Sequence, residues 1–357
     1  MTKASGEQIQ SDSNKANFGA KQWIATLLTL LVIVFVFAVV FPSLGDYSEA
    51  WTAIQGMATG WVVSLVVITI GVVVIYPLPL IRALPSIAYR AAFAVRQTSF
   101  MIANVVPGGG AIGLGVQYGM LNTYGFSAAP AADAVGITSV SDTVVTLALP
   151  ILSLVGLVII GEASSTAVVL AIVGAALVGI LVGMIAVVLR SEETARKVGG
   201  WLGRLVSQIA GWFHKPFDVD LASDLVEFRA SLIEVGTRRV LIVTGANLVQ
   251  QLSGFLVLWV AILAIQGAGG SVNIAEALAA YSVARLATFI PIPPGGLGTS
   301  DAIMAGLLTN QFGMTSTDAM AAVLIWRAAT YFPQVFIGIG TLISWRRQRV
   351  KAPSAST

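Results

Sequence analysis

The chain has 357 residues, of which 56% are hydrophobic and only 10% are charged, and its formal net charge is +3. A soluble domain carries about 25% charged residues, so this composition excludes a soluble globular protein and predicts a polytopic membrane protein. The sequence has no cysteine and one histidine, which excludes disulfides, thiol chemistry and a cysteine–histidine metal site.

Six apolar segments are long enough to cross a membrane, which takes about 20 residues. They are residues 23–41, 56–76, 132–160, 166–189, 240–265 and 319–345. The polar residues 1–22 before them are predicted to form a disordered cytoplasmic tail. The first segment is too long for a signal-peptide core and no small-residue cleavage site follows it, so we expect an uncleaved span.

Two further apolar stretches, residues 77–125 and 274–313, are each interrupted by proline and glycine. The first tip is Pro107-Gly108-Gly109-Gly110, and the second tip, residues 291–298, contains Pro294-Gly295-Gly296 and Gly298. Proline removes a backbone donor and glycine adds backbone freedom, so we expect the helices to stop at both tips. An interrupted backbone inside a bilayer must be buried in protein or line a wet cavity, so the tips are candidate site residues.

Lysine and arginine predict which side of the membrane faces the cytoplasm. Residues 190–239 contain eight of them and residues 346–357 contain four, whereas the loops at 42–50, 161–165 and 267–275 contain none. We therefore expect both termini on the cytoplasmic side of the cell inner membrane. Counting spans from there makes the two broken stretches enter from opposite faces as re-entrant hairpins, unless each is a pair of thin full spans.

The two halves of the chain share a pattern after their tips. Gly125 is followed by Ser127, and Gly313 is followed by Thr315, as if a glycine ended one helix and a hydroxyl capped the next. We interpret this as an all-α fold of two inverted-topology repeats, residues 23–189 and 240–345, with a basic tail at 346–357. Apolar residues recur at helical spacing in the linker, residues 190–239, which predicts amphipathic helices at the cytoplasmic leaflet or docked on the membrane domain.

Charges inside membrane spans are costly, so each is a functional candidate. Arg285 precedes the second tip, Asp301 follows it, and Arg327 lies in the last span. An arginine fork suits two oxygens of a phosphate, and the carboxylate of Asp301 either positions Arg285 or exchanges for a phosphate. The alternative is an Arg285–Asp301 or Arg327–Asp142 ion pair that only ties helices together.

The first half offers mainly neutral groups. Asn104 precedes the first tip and Gln117 follows it, and both are candidate substrate-binding residues. Asp142 lies deeper in a span, where it carries a proton or pairs with an arginine. A polar stripe of Asn247, Gln250 and Gln251 either lines an aqueous groove or forms hydrogen bonds between helices.

Other chemistry finds little support in the sequence. Gly108, Gly110 and Gly113 match a dinucleotide fingerprint by letter, but no strand precedes them and no βαβ unit surrounds them. The sequence contains no Walker A lysine motif, nucleophile elbow or metal-ligand cluster. We therefore expect no enzyme activity, no cofactor and no metal.

With these residues in view, the chain resembles the lysylphosphatidylglycerol synthase transmembrane-region family. These flippase-like membrane domains occur alone or fused to glycosyltransferases. The resemblance covers residues 23–345 and is carried by the following residues: Arg285, the run Pro293-Pro294-Gly295-Gly296-Leu297-Gly298-Thr299-Ser300-Asp301, Gly313, Arg327, the run Pro107-Gly108-Gly109-Gly110, and Gly125. Asp301 stands where the family usually has glutamate, and neutral residues at 116–117 and 138–139 replace its charged ones.

The resemblance implies lipid translocation or binding without lipid synthesis. We expect a flippase that moves an anionic or phosphate-linked lipid, a phospholipid or a polyprenyl-phosphate sugar, for cell-envelope biosynthesis. Its partners would be the membrane lipid and a membrane glycosyltransferase, with no nucleic acid. Two alternatives remain: a non-transporting partner that presents lipid to a glycosyltransferase, and a proton-coupled solute transporter.

Overall fold

The computed structural model describes residues 47–106, 109–161, 190–212, 236–267, 269–289 and 294–351, with scattered positions between 172 and 188 and between 222 and 233. Within this part of the chain every element is helical. In chain order the helices are α1 Tyr47–Gln55, α2 Thr59–Ile75, α3 Leu78–Ala83, α4 Tyr89–Val105, α5 Gly109–Thr123, α6 Ala128–Ile159, α7 Glu192–Trp212, α8 Thr237–Gln266, α9 Ile274–Leu286, α10 Thr299–Asn310 and α11 Ser316–Lys351.

Four helical stretches are long and apolar enough to cross a membrane among the described residues. They are Thr59–Ala83, Ala128–Ile159, Thr237–Gln266 and Ser316–Gln348. They coincide with four of the predicted spans and confirm an all-helical membrane protein. The predicted span at 23–41 lies outside the described residues, as does most of the span at 166–189.

The helices stop at both tips, as proline and glycine predict. Helix α4 ends at Val105 and α5 begins at Gly109, while Pro107 and Gly108 between them lie outside the described residues. After α9 the chain forms two short 3-10 turns, Ala287–Phe289 and Pro294–Gly296, before α10 begins. In the second tip Gly295, Gly296 and Gly298 all have positive φ, between 63° and 82°, which side chains disfavour.

The helices beside the tips are short. Helices α4 and α5 have 17 and 15 residues, about 25 and 22 Å of helix. Helices α9 and α10 have 13 and 12 residues, about 20 and 18 Å. None reaches the roughly 30 Å thickness of a hydrocarbon core, so by length no single arm crosses a membrane alone.

Each hairpin packs its first helix against the long helix that follows the hairpin of the other half. Helix α4 lies along α11, where Thr98 and Thr341 share a hydrogen bond of 2.8 Å between their hydroxyls. Helix α9 lies along α6, where the hydroxyls of Ser153 and Ser282 are 3.2 Å apart. In the same way α2 packs against α8, the helix in the corresponding place of the second half. Helices of the first half therefore pack against helices of the second half at three places, an arrangement that we call interlocked packing.

A buried hydrophobic core lies among α8, α9, α10 and α11. It contains large side chains with almost no exposure, including Leu258, Ile262, Met304 and Leu308. A hydrogen bond from side chain to backbone joins α11 to α8: the Trp326 indole N–H donates to the Gly254 carbonyl at 3.0 Å. Polar contacts of this kind hold membrane helices together where burial of apolar surface gives little drive.

The structure contains the two predicted glycine turns, each of which links a hairpin to the long helix that follows it. Gly125 and Gly313 have φ of 90° and 69° and follow α5 and α10. The expected hydroxyl caps are only half right. Thr315 accepts a hydrogen bond from the Asp318 backbone N–H at 3.1 Å, whereas Ser127 stands at the N-cap of α6 but its side chain makes no cap bond.

The start of the linker is helical, as its periodicity predicts. Helix α7 has ion pairs one turn apart on its exposed surface, Glu192 with Arg196 at 2.9 Å and Glu193 with Lys197 at 2.6 Å. The hydrogen bond from Lys197 lowers the pKa of the Glu193 carboxyl. The remaining linker lies mostly outside the described residues, and its position relative to the membrane stays a prediction, as does the division into domains.

Candidate binding cavity between the hairpins

A cavity of about 560 Å³ lies where the two hairpins approach each other. Helices α2, α4, α5, α6, α8, α9, α10 and α11 all contribute to its wall. The wall is both polar and aromatic. Its main side chains are Asn104, Asp142, Gln250, Gln251, Arg285, Ser300, Arg327 and Gln334, together with Tyr76, Phe100, Tyr281, Trp326 and Tyr331.

Arg327 reaches the cavity from α11 and is held in place by the start of α10. Its Nε–H donates to Asp301 Oδ1 at 2.8 Å, and its Nη2 donates to Ser300 Oγ at 2.7 Å and also to Asp301 Oδ1. The side chains of Arg327 and Asp301 are 12% and 1% exposed. The aromatic ring of Trp326 lies under the guanidinium, 4.8 Å from Cζ. Arg327 is therefore held by hydrogen bonds and by an aromatic ring while it lines the cavity.

The ion pairs expected from the sequence are wrong. Asp301 pairs with Arg327, not with Arg285, and Arg327 does not pair with Asp142. The reason is the position of Asp301 in the third residue of α10, where its Oδ2 also accepts the Gly298 backbone N–H at 2.9 Å. Because α10 packs alongside α11, the other oxygen of this capping carboxylate meets Arg327.

Arg285 also lines the cavity, and no described acidic residue pairs with it. It lies in the last turn of α9, and its guanidinium makes no hydrogen bond or ion pair with any residue that the structure describes. Its Nε is buried without an acceptor. A partly buried cation without a partner is costly, so Arg285 is the side chain best placed to bind an anion.

The first tip meets the second at Asn104. The Tyr331 hydroxyl donates to the Asn104 carbonyl at 3.0 Å, and a methyl group on Gly295 would overlap Asn104 Oδ1. Gly109 and Gly110 line the cavity beside it, as does Gly295. The structure therefore brings both predicted tips to one place, although Pro107 and Gly108 lie outside the described residues.

Asp142 lines the cavity from α6, and it has a neutral partner. Its Oδ1 accepts a hydrogen bond from Gln251 Nε2 at 3.1 Å, and no described basic group forms an ion pair with it. The polar stripe on α8 has both of the roles left open by the sequence. Gln250 and Gln251 face the cavity, whereas Asn247 Nδ2 donates to the Thr138 carbonyl on α6 at 3.3 Å.

Several predicted site residues do not line the cavity. Gln117 is 1% exposed inside the protein, and neither of its side-chain polar atoms has a hydrogen-bond partner among the described residues. Pro294, Gly296 and Gly298 shape the second tip without reaching the wall, and Asp301 acts from behind it. These four support the site, because they set the backbone path and hold Arg327.

Sequence reasoning did not single out Arg96 as a residue of this site. It lies midway along α4, with its Cζ 4.9 Å from the centre of the Tyr76 ring, and Nη2 donates to Gln250 Oε1 at 3.5 Å. Both of these partners line the cavity. Helical spacing contained the signal, since Arg96, Phe100 and Asn104 follow one another at intervals of four residues.

No group of histidine, cysteine, aspartate or glutamate side chains in the described ranges could hold a metal ion. The wall instead offers guanidinium groups, backbone of glycines and aromatic rings. Guanidinium groups bind phosphate or carboxylate oxygens through paired hydrogen bonds, and the aromatic rings provide apolar contact. An arrangement of this kind suits a ligand with an anionic head and an apolar body.

Comparison with known proteins agrees with this description. No curated protein matches the sequence significantly. The family model described as the lysylphosphatidylglycerol synthase TM region matches residues 22–338, which include both tips, Arg285 and Arg327. The protein is therefore a membrane protein of a lipid-related family, and the chain belongs to the lysylphosphatidylglycerol synthase transmembrane-region family.

Proposed function

We propose that this protein is a flippase-type transporter that moves an anionic or phosphate-linked lipid across the cytoplasmic membrane, in the service of cell-envelope biosynthesis. The observation that carries the proposal is Arg285, a cation that has no counterion among the described residues and lies beside Arg327 in a cavity between two broken helices. Transport, and not catalysis, is the expected activity. The lipid is its partner, with a membrane glycosyltransferase as the enzyme that would make or use it.

The proposed architecture has six full spans and two re-entrant hairpins in an inverted repeat, with both termini cytoplasmic. The interlocked packing supports it, since α4 lies on α11 and α9 lies on α6, as a two-fold relation between halves requires. The short hairpin arms support it as well, because a re-entrant arm needs to reach only the middle of the bilayer. Broken helices that meet between inverted repeats are typical of transporter sites.

The two helix starts at the tips would have different roles in binding. Helix α10 already has Asp301 in its first turn, so its positive end is neutralised by the protein itself. Helix α5 has no acidic residue in its first turn, and Gly110 and Ala111 at its start line the cavity. The phosphate would therefore lie between the start of α5 and the guanidinium of Arg285, with Arg327 at its side.

A flip assay in reconstituted vesicles tests the proposal, with a fluorescent phosphatidylglycerol as the probe. We expect Arg285→Ala and Arg327→Ala to slow its movement about 10- to 100-fold, the equivalent of a lost charged hydrogen bond. Arg82→Ala is the matched control, because Arg82 is exposed and does not line the cavity. Undiminished movement in both cavity variants would contradict the proposal.

Asp142 favours one second candidate, a proton-coupled solute transporter. Its carboxylate lines the cavity without an ion pair among the described residues, which is the arrangement that proton relays use. That function requires a flux driven by a pH gradient and abolished by Asp142→Asn. The other alternative, a lipid-presenting partner of a glycosyltransferase, predicts lipid binding by the purified protein without any movement of lipid.

A further inference from the structure

A second cavity, of about 650 Å³, lies away from the first and shares none of its lining residues. It is a groove between the first two turns of α4 and the last turns of α11. Thr341, Ser344, Trp345 and Gln348 form its α11 side, with the spacing of one helix face. Its volume is within the range of about 300 to 1,000 Å³ that is typical of small-molecule sites.

Aromatic side chains dominate the wall of this groove. Tyr89, Phe93, Tyr124 and Trp345 all line it, and the Tyr89 hydroxyl donates to the Val74 carbonyl at 2.9 Å. Tyr89 itself is 45% exposed. Tyrosine and tryptophan favour the level of lipid headgroups, where one part of the ring is apolar and the other is wet. The groove therefore has the composition of the boundary between the membrane and water.

The same end of the molecule carries positive charge that no described acidic residue neutralises. Arg90 lines the groove, and Arg346 and Arg347 directly follow Trp345; all three are exposed and make no hydrogen bond or ion pair with a described residue. The N-cap of α4 is Ala88, whose side chain makes no cap hydrogen bond to the backbone N–H groups of Tyr89 and Arg90 at the start of the helix. Cation and helix start both attract an anion at the rim of an apolar groove.

We infer that this groove binds an anionic phospholipid of the surrounding leaflet as a resident lipid, separate from the transported one. Its phosphate would contact Arg90 and the start of α4, and one acyl chain would lie against Val74 and Phe93. The charge complementarity favours an anionic lipid over a zwitterionic one, because basic residues next to a membrane helix gain affinity from anionic headgroups.

Native mass spectrometry of the purified full chain in neutral detergent tests this inference, with dioleoyl phosphatidylglycerol and dioleoyl phosphatidylcholine as probes. We expect Arg90→Gln to weaken binding of phosphatidylglycerol about five-fold, and Arg82→Gln, an exposed arginine outside the groove, to leave it unchanged. Equal binding of the two lipids, or equal effects of the two substitutions, would overturn the inference.

Ser344→Trp provides a second variant that fills the groove without changing its charge. We expect it to weaken phosphatidylglycerol binding as much as Arg90→Gln does. If only Arg90→Gln had an effect, the lipid would bind the basic surface and not the groove, and the inference would be wrong. Repeating the measurement with Arg285→Ala separates the two sites, since loss of the transport cavity leaves this binding in place.

Discussion

The two hairpins are stabilised at their breaks by different interactions. In the first, the arms approach so closely that a methyl group on Gly109 would overlap the Ile102 carbonyl, and Ser99 Oγ donates to the Gly113 carbonyl at 3.0 Å. In the second, the buried Asp301 caps the start of α10 and binds Arg327. Close packing of neutral groups holds the first hairpin, and a buried ion pair holds the second.

The two hairpins show two ways in which the backbone groups at a break in a membrane helix are accommodated. Backbone groups freed by a break must find partners inside the protein. The carboxylate of Asp301 satisfies the start of α10, which leaves that helix end unavailable to a ligand. The first turn of α5 contains no acidic residue, and Gly109, Gly110 and Ala111 at its start line the cavity.

The largest expected effect follows from removing the buried carboxylate. Asp301→Ala leaves the Arg327 guanidinium unpaired and the Gly298 N–H without its acceptor, and we expect a loss of about 3 to 5 kcal/mol in the free energy of unfolding. Unfolding in detergent measures it. Glu192→Ala, which breaks the exposed pair with Arg196, is the control and should cost under about 1 kcal/mol. Equal costs would show that the second hairpin does not depend on its ion pair.

The contact between the tips should tolerate no side chain. Gly295 has φ of 63° and faces Asn104 Oδ1, so we expect Gly295→Ala to cost about 2 kcal/mol through backbone strain and overlap. Gly110→Ala is the matched change in the first tip, where no atom lies within 4 Å of the new methyl. Thermal unfolding compares them. A Gly110→Ala protein as unstable as Gly295→Ala would contradict the contact described here.

Gln117 and Gln251 are both buried, but only Gln251 has side-chain hydrogen bonds to described residues. We expect Gln117→Leu to stabilise the protein by about 1 kcal/mol, because it removes two buried polar atoms that have no hydrogen bond to any described residue. Gln251→Leu should do the opposite, since Gln251 Nε2 donates to Asp142 Oδ1 and to Thr146 Oγ1. Both are measured by thermal unfolding, and a flip assay accompanies Gln117→Leu. Slower lipid movement in that variant would show that Gln117 does contribute to substrate binding.

The smallest expected effects compare the two caps. Thr315→Ala removes a hydroxyl that accepts the Asp318 N–H, so it should cost about 1 kcal/mol. Ser127→Ala removes a hydroxyl that makes no cap bond, and its unfolding temperature should stay unchanged. A loss in Ser127→Ala equal to that in Thr315→Ala would show that the two halves cap their long helices alike.

Much of the fold could be predicted from the sequence. Hydropathy located four long helices to within a few residues, and proline with glycine located both breaks. The candidate site was predictable in its parts but not in its pairing. Arg285, Arg327, Asp142 and Asn104 do line one cavity, yet Gln117 does not, because it lies about two turns of α5 beyond the residues that line the cavity and is buried inside the protein.

Helix positions and helix ends could be worked out from the amino-acid order alone, because hydropathy, proline geometry and glycine freedom act over a few neighbouring residues. Which charges meet became apparent only in the folded protein. Asp301 reaches Arg327 because α10 packs alongside α11, and Arg96 stacks on Tyr76 because α4 turns that face inward. Such pairings depend on how helices far apart in the chain pack against each other, and the order of residues within one helix does not specify that.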